Sequence, residues 1–501
     1  MSILQLHTML ALISFSLVLT VVLFRLVVHS ISARNALRNI PGPVPSSLLW
    51  GEEWDLYHKP PGSLYLKWHQ RFGKVLKFRG SCGHYVLSIT DQRAVSYILG
   101  TEGIYKFPKP DGVREWFRRT QGEGIIWTEG KEAHERQRRY LAPAFTQQSV
   151  RKFTPIFYEM SAKLAAQWAM LLDSSESKEV EIEITNWAAR FALDTVARAT
   201  FSYDFNLLSG EPNPLAEALD GLTNSENRLS SFYMRALFWI FPSILSLGKK
   251  GEMIKRTKAE LGAISRRMWQ DAKTSDNTQS NDDKTLMSIM LAADRKLDEE
   301  EVVAQMRTIL SAGYEPVSAT VAWVLYELAM NPELQNQLRA EISSHDESPI
   351  LNSVILETLR LYPPVLENHH QAADDIIVPL SEPIMGTSIS QLAIPKGTIV
   401  VIPVNVLQTD REIWGEDAHL FRPERWRGRD DRRGLFAFSQ GPRACVGKQF
   451  ALAEIKALVV TLVQQFSFRC PYEIEPFQSF VIRPRVEGQG PSSLPLIVRR
   501  V

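Results

Sequence analysis

"FSQGPRACVG", Phe438 to Gly447, sets one cysteine between two glycines, directly ahead of the chain's last amphipathic run, "KQFALAEIKALVVTLVQQF". A lone cysteine is ordinarily a buried, inert thiol. The surroundings point elsewhere. Gly441 and Gly447 permit a tight loop and a close approach of backbone to a flat ligand. Backbone N–H groups at a helix start favour a thiolate over a thiol. Arg443 stands where it can meet an anion. The remaining cysteines, Cys82 and Cys470, are too distant in sequence to complete a zinc knuckle with Cys445. A single thiolate suits one axial bond to a cofactor's iron better than a tetrahedral zinc site.

Outward from this loop, composition excludes more than it selects. The 501 residues allow two to three ordinary domains, and the apolar and charged fractions are those of a globular protein. A net charge of +1, with both signs interleaved, gives no electrostatic footprint for nucleic acid. Three cysteines make no disulfide framework and fit a reducing compartment. The N-terminus is the exception. Ile3 to Val28 is apolar but for His7 and Arg25, and about 20 such residues cross a bilayer core. A signal peptide would carry a basic n-region, which is missing, and a small-residue cleavage site. Arg25, Arg34 and Arg38 follow the span, so the positive-inside rule keeps the remainder cytosolic. We therefore expect a transmembrane anchor over 3–28 and a linker and proline-rich hinge over 29–47 ("IPGPVPSS"), ahead of a globular unit over 48–501 that the family resemblance given below implies to be one domain.

Within that unit, "KVLKF" and "HYVLSI" flank "RGSCG" as a hairpin. From Asp91 to Ser344 the periodicity is helical, interrupted by the polar loop "KTSDNTQSNDDK". "ILNSVILETLRLY" is a helix stopped by Pro363-Pro364. Short strands such as "GTIVVIPV" follow, then the last helix, with Ile455, Val459, Leu462 and Phe466 on one face. There is no internal repeat. Within the helical region, "SAGYEPVSAT" (Ser311 to Thr320) predicts a break. Pro316 cannot bond to the Ala312 carbonyl, at a cost of about 3 kcal/mol inside a helix.

The cysteine loop matches F-x-x-G-x-R-x-C-x-G at every fixed position, and so resembles the haem-thiolate monooxygenases, the cytochromes P-450. Other segments agree in order. "ETLR" and "FRPERW" resemble the family's E-x-x-R and P-E-R motifs. "EGKEAHERQRRYLAPAF" is similar to its W-or-H-x-x-x-R helix, and "HHQAADDIIVPL" to R-x-A-x-x-D-x-x-x-P, with His370 in place of the arginine. "AGYEP" resembles A/G-G-x-D/E-T, with Pro316 in place of the threonine. The resemblance spans about Ile40 to Arg499.

That resemblance implies a mainly α fold with minor β and a b-type haem (heme b) whose iron is ligated by Cys445. Phe438, Gly441, Arg443 and Gly447 would complete the cofactor loop. His134, Arg138 and His370 would meet the haem carboxylates, and Glu357, Arg360 and Arg425 would form a buried network beneath the loop. Ala312, Gly313, Glu315 and Pro316 would face the oxygen side, with Glu315 and water relaying protons and Ser318 as a lesser candidate. The implied partners are an NADPH-dependent cytochrome reductase, O2, a lipophilic substrate and membrane lipid. Arg427, Arg429, Arg432, Arg433 and Lys448 offer positive charge for the reductase. Anchor, hinge and histidine-bearing helix resemble a microsomal, fungal member of the endoplasmic reticulum. By family position the substrate pocket would be lined from Phe107 to Ile126, with Phe107, Trp116, Phe117, Ile125 and Ile126 as apolar candidates, from the region near "SSFYMRALFWIF", and from Val365 to His369. A terpenoid or other secondary metabolite is the first expectation and a fatty acid the second. Two other readings stand beside it: a haem-thiolate isomerase or dehydratase acting on a peroxide without a reductase, and a non-catalytic haem sensor or carrier.

Overall fold

Glu299, Glu300 and Glu301 open the longest described helix at the end where carboxylates suit the helix dipole. The computed structural model describes residues 20, 37–210, 229–274, 285–292, 298–345, 348–428 and 434–501. This central helix runs over Glu299–Met330, and the next, Pro332–Ser344, starts at the proline that ends it. The break expected at Pro316 is absent. The residue lies inside a continuous helix because only one backbone bond is lost while both flanks are buried. Thr320 Oγ1 donates to the Pro316 carbonyl at 2.8 Å.

A helix apolar on nearly every side belongs in the middle of a core. Helix Ile184–Phe201 lies against it. A Cβ on Gly313 would come within 2.8 Å of Val196 Cγ2, so glycine sets how closely the two helices approach. Helix Lys448–Gln465 packs on helix Gln147–Asp173 and on the central helix. There Phe450 meets Phe157 with ring centroids 4.9 Å apart. Phe466, expected on the last helix, instead starts a strand, its backbone already extended.

The strands are β1 (Val75–Arg79), β2 (Tyr85–Ile89), β3 (Glu179–Glu183), β4 (Glu367–Gln371), β5 (Ile376–Pro379) and β6 (Gln391–Ile394). They continue with β7 (Ile399–Pro403), β8 (Phe466–Arg469), β9 (Ile474–Gln478), β10 (Ile482–Val486) and β11 (Pro495–Arg500). The hairpin β1–β2 extends into a sheet of order β1-β2-β7-β4, in which β7 runs parallel to β2. β7 is buried along its whole length, as its unbroken apolar run requires. Strand β3 interrupts the stretch read as helical. "EVEIE" is too short to announce itself and is fixed only by pairing with β11. Apart from residue 20, the 3–28 segment lies outside the described residues, as do 29–36 of the linker and 275–284 of the polar loop. Among the described residues no helix is long and apolar enough to cross a membrane.

Candidate functional site

The loop before the last helix is built by its own backbone. Cys445 N–H donates to the Phe438 carbonyl at 2.9 Å, Ala444 N–H to Gly441 at 3.0 Å, and Ser439 N–H to Phe436 at 2.8 Å. Gly441 has φ +71°, and a Cβ there would lie 2.0 Å from the Leu99 carbonyl oxygen. Its close approach is thus to helix Gln92–Leu99 rather than to a ligand face. Gly447 differs: a Cβ on it would meet nothing within 4 Å. Cys445 is reached by solvent, yet surrounding protein is dense enough that burial pushes its thiol pKa up. An accessible sulfur with dense protein around it is what a concave site would give. The Gly447 N–H, Arg138 and Lys448 pull the thiol the other way.

Beneath the loop lies a carboxylate wrapped in donors. Glu357 accepts from Arg360 Nε and Nη2 at 2.9 and 2.7 Å, from Arg425 Nε at 2.8 Å and from Trp426 Nε1 at 2.9 Å. The Arg360 and Glu357 side chains are fully buried. Gln408, for which the sequence carries no signal, joins this network to the loop. Its amide donates to the Leu359 and Arg360 carbonyls, and its Oε1 accepts from Phe436 N–H at 2.6 Å.

One edge of the loop carries a crowd of cations. Arg138, on helix Lys131–Leu141, donates to the Ala444 carbonyl at 2.8 Å. Arg443 donates to Glu129 at 2.6 Å and to the Thr128 carbonyl at 2.9 Å, so the anion it meets here is Glu129. Lys109 pairs with that same carboxylate at 2.9 Å. Burial, then the charges of Arg443, Arg138 and Lys109, hold His134 down at about 4. Burial and the nearby Arg443 and Arg114 hold Lys109 at about 8, opposed by Glu129. His370 donates from Nδ1 to the Phe107 carbonyl at 2.9 Å, and its buried Nε2 has no hydrogen-bond partner. Sequence reasoning missed Lys109, Arg114 and Glu129, since "FPKPDGVR" and "WTEG" show no spacing that would single them out.

On the central helix Ala312 is exposed and Pro316 half-buried, although Tyr314, Glu315, Val317 and Ser318 around them are buried. Four residues apart, Ala312 and Pro316 open onto one side. Glu315 Oε1 lies 3.2 Å from Arg483 Nη2 on β10, both side chains 4 % exposed. Ser318 Oγ turns back to the Glu315 carbonyl at 2.9 Å. Of the residues expected to line a pocket, Phe107 and Ile125 are core, while Val365 is accessible. Trp116 and Phe117 gather with Phe480, which the sequence had not suggested, at centroid distances of 6.3 and 6.0 Å. His369 and Glu367 turn toward each other, 3.3 Å apart. Arg429, Arg432 and Arg433 lie outside the described residues, Arg427 is exposed, and Lys448 sits over the Phe438 ring.

Residues 40–487 match the family model for cytochrome P450. The chain is 31% identical to cytochrome P450 monooxygenase claQ of Ampulloclitocybe clavipes, the match covering 95% of each chain. It is 32% identical to claP of the same fungus over 92% of each chain, and 32% identical to cytochrome P450 monooxygenase 205 of Postia placenta over 93% of each. The protein belongs to the cytochrome P450 family, whose cofactor is haem ligated through a cysteine thiolate. Its residues fit that group. A crowd of cations with one carboxylate between them suits the two haem carboxylates. The open space at Gly447 and the accessible Cys445 suit a ring lying over the loop. A metal's charge would draw the thiol, raised by burial, into the thiolate.

Proposed function

We propose that the protein is a membrane-anchored monooxygenase that inserts one oxygen atom of O2 into a lipophilic substrate, using electrons from NADPH passed by a reductase. The balance is R–H + O2 + NADPH + H⁺ giving R–OH, water and NADP⁺. The observation that carries this reading is the accessible Cys445 in its complete loop, within a fold whose central helix opens at Ala312 and Pro316 amid the buried Tyr314, Glu315, Val317 and Ser318. Haem supplies the redox chemistry when bound. The chain's part is to hold and to shield. Cys445 would bind the iron, with Phe438 and Gly447 bordering the ring. Arg138, His134, Arg443 and His370 would hold the carboxylates, joined by Lys109. Ala312 and Gly313 keep the central helix low and close-packed, Pro316 leaves the Ala312 carbonyl without a helical partner, and Glu315 holds and moves a proton at its carboxylate.

The 3–28 span would anchor the chain in the endoplasmic reticulum membrane, with 29–47 as hinge and the catalytic part in the cytosol. Trp116, Phe117 and Phe480 favour an extended apolar scaffold, a terpenoid or related secondary metabolite before a fatty acid. The deciding experiment is co-expression with a reductase in cells fed such scaffolds under ¹⁸O2. A product carrying one labelled oxygen is expected. Pro316, which supplies no hydroxyl, supports a second reading as a peroxide isomerase or dehydratase. Conversion of a lipid hydroperoxide without NADPH, with no labelled product, would establish that instead. Haem binding with neither activity would mark a sensor or carrier.

A further inference from the structure

The proton route is the part of this site that departs furthest from its family's pattern. A proline replaces a hydroxyl, and the one acid beside it is tied to an arginine from the far end of the chain. Arg483 lies on β10, which packs against the central helix. The turn that joins β9 to β10 is three residues long, Ser479 to Val481, with Phe480 at its apex. Phe480 is 43% exposed and reaches Trp116 and Phe117 of helix Asp111–Thr120. That helix ends at Gln121, whose Nε2 donates to Ser311 Oγ at 3.0 Å, next to the accessible Ala312. Three elements thus close a ring beside the open face of the central helix: Gln121 to Ser311, Arg483 to Glu315, and Phe480 to Trp116.

Between Phe480 and Arg483 the hairpin is pinned. Ile482 N–H donates to the Pro364 carbonyl at 2.9 Å, and Trp323 Nε1 of the central helix donates to the Ile482 carbonyl at 3.2 Å. The tip and Arg483 lie on either side of that pin. A paired hairpin held at that one residue can pivot on it, which would carry a displacement of the tip to the guanidinium beside Glu315.

We propose that the β9–β10 hairpin couples occupancy of the recess to proton supply, with Phe480 as its sensing end and Arg483 as the positioning residue for Glu315. The inference rests on the monooxygenase reading. Arg483 fixes where the Glu315 carboxylate sits, and a ligand pressing on Phe480 shifts the pair. Reduction of O2 with two electrons and two protons ends at peroxide, and with four of each at two waters. A misplaced Glu315 starves the later proton transfers and sends electrons from NADPH to peroxide.

The test uses the full-length, haem-loaded chain with its reductase. Arg483→Met is expected to raise the peroxide formed per NADPH by about threefold or more and to enlarge the solvent isotope effect. Arg483→Lys, which keeps a cation, should restore most of the difference. Loading is read from the ferrous–carbon monoxide spectrum, which a misplaced carboxylate leaves thiolate-like. If Arg483→Met loads no haem, Phe480→Ala carries the test, with peroxide rising in the same direction. Hydrogen exchange over 474–486 with 1-phenylimidazole as probe should change in the wild type and not in Phe480→Ala. A loaded Arg483→Met (or, where it does not load, Phe480→Ala) with wild-type peroxide yield, or a hairpin indifferent to the probe, overturns the proposal. A wild type that loads haem and yet draws no electrons from NADPH overturns the monooxygenase reading instead.

Discussion

The cysteine loop and the central helix opposite in character are stabilised by different kinds of contact. The bonds that shape the loop are backbone to backbone and local, as from Cys445 to Phe438 and from Ala444 to Gly441, with side chains such as Arg138 and Gln408 tying its edges to the rest of the fold. Beside the open side of the helix the bonds that tie it to other elements run side chain to side chain and are remote, as from Gln121 to Ser311 and from Arg483 to Glu315. A local backbone web is encoded in one short motif and tolerates little change. A remote side-chain web can be rewired one residue at a time, and Pro316 is such a rewiring.

Cys445→Ala should produce the largest effect, because no neighbouring group can replace the sulfur. The carbon monoxide complex of the reduced wild type is expected to show the red-shifted Soret band of thiolate ligation. The variant should lose both that band and all NADPH-dependent product. An unshifted band from folded wild type would break the comparison at its root.

Next is Glu357→Ala, which tests whether the loop depends on what lies beneath it. It strands the fully buried Arg360 without its carboxylate, at about 3–5 kcal/mol, and takes one of two carboxylate partners from the half-buried Arg425. The denaturant midpoint and haem content should fall together. A variant that loses stability and keeps full haem content would separate network from loop.

On the helix, Glu315→Ala should lower product per NADPH by about tenfold to a hundredfold, with peroxide making up the difference. Unchanged coupling would remove Glu315 from the proton route.

A smaller effect sharpens the contrast through pH. His69 donates to the Gly73 carbonyl, accepts from Ser88, and is held at about 4 by burial. A histidine depressed below its unfolded value of about 6.5 stabilises the fold above that pH, and the contribution is lost as pH falls toward 4. His134 and His370 act with the same sign in the cofactor-free protein. Asp194 and Glu327, raised by burial to about 6 and about 7, act oppositely, their contribution lost as pH rises. The informative quantity is therefore a difference. The stability of wild type over His69→Gln should shrink as pH drops from 6.5 to 4, followed by thermal unfolding of the cofactor-free chain.

Pro316→Thr should change least. It restores a backbone bond in a helix that is already continuous and adds a hydroxyl beside Ala312. A gain in coupling of about threefold or less is expected, with the haem spectrum unchanged. A larger gain would mean that the proline, and not Arg483, limits proton supply.

Much of this was legible in the chain itself. The residues from Phe438 to Gly447 determine their loop because its bonds close within ten positions and its glycine at 441 answers to one left-handed φ. The long apolar run around residue 316 determines a buried helix, since a segment apolar on all sides has nowhere else to go. What the tertiary structure decided are the partners. The helix survives Pro316 because packing on both flanks outweighs one missing bond. Gly441 meets Leu99, Arg443 meets Glu129, Gln408 carries the buried network to the loop, and Arg483 claims Glu315 from 168 residues away. No periodicity reports such pairings. Local spacing constrains which face a side chain occupies, and only the folded chain fixes what stands on the other side.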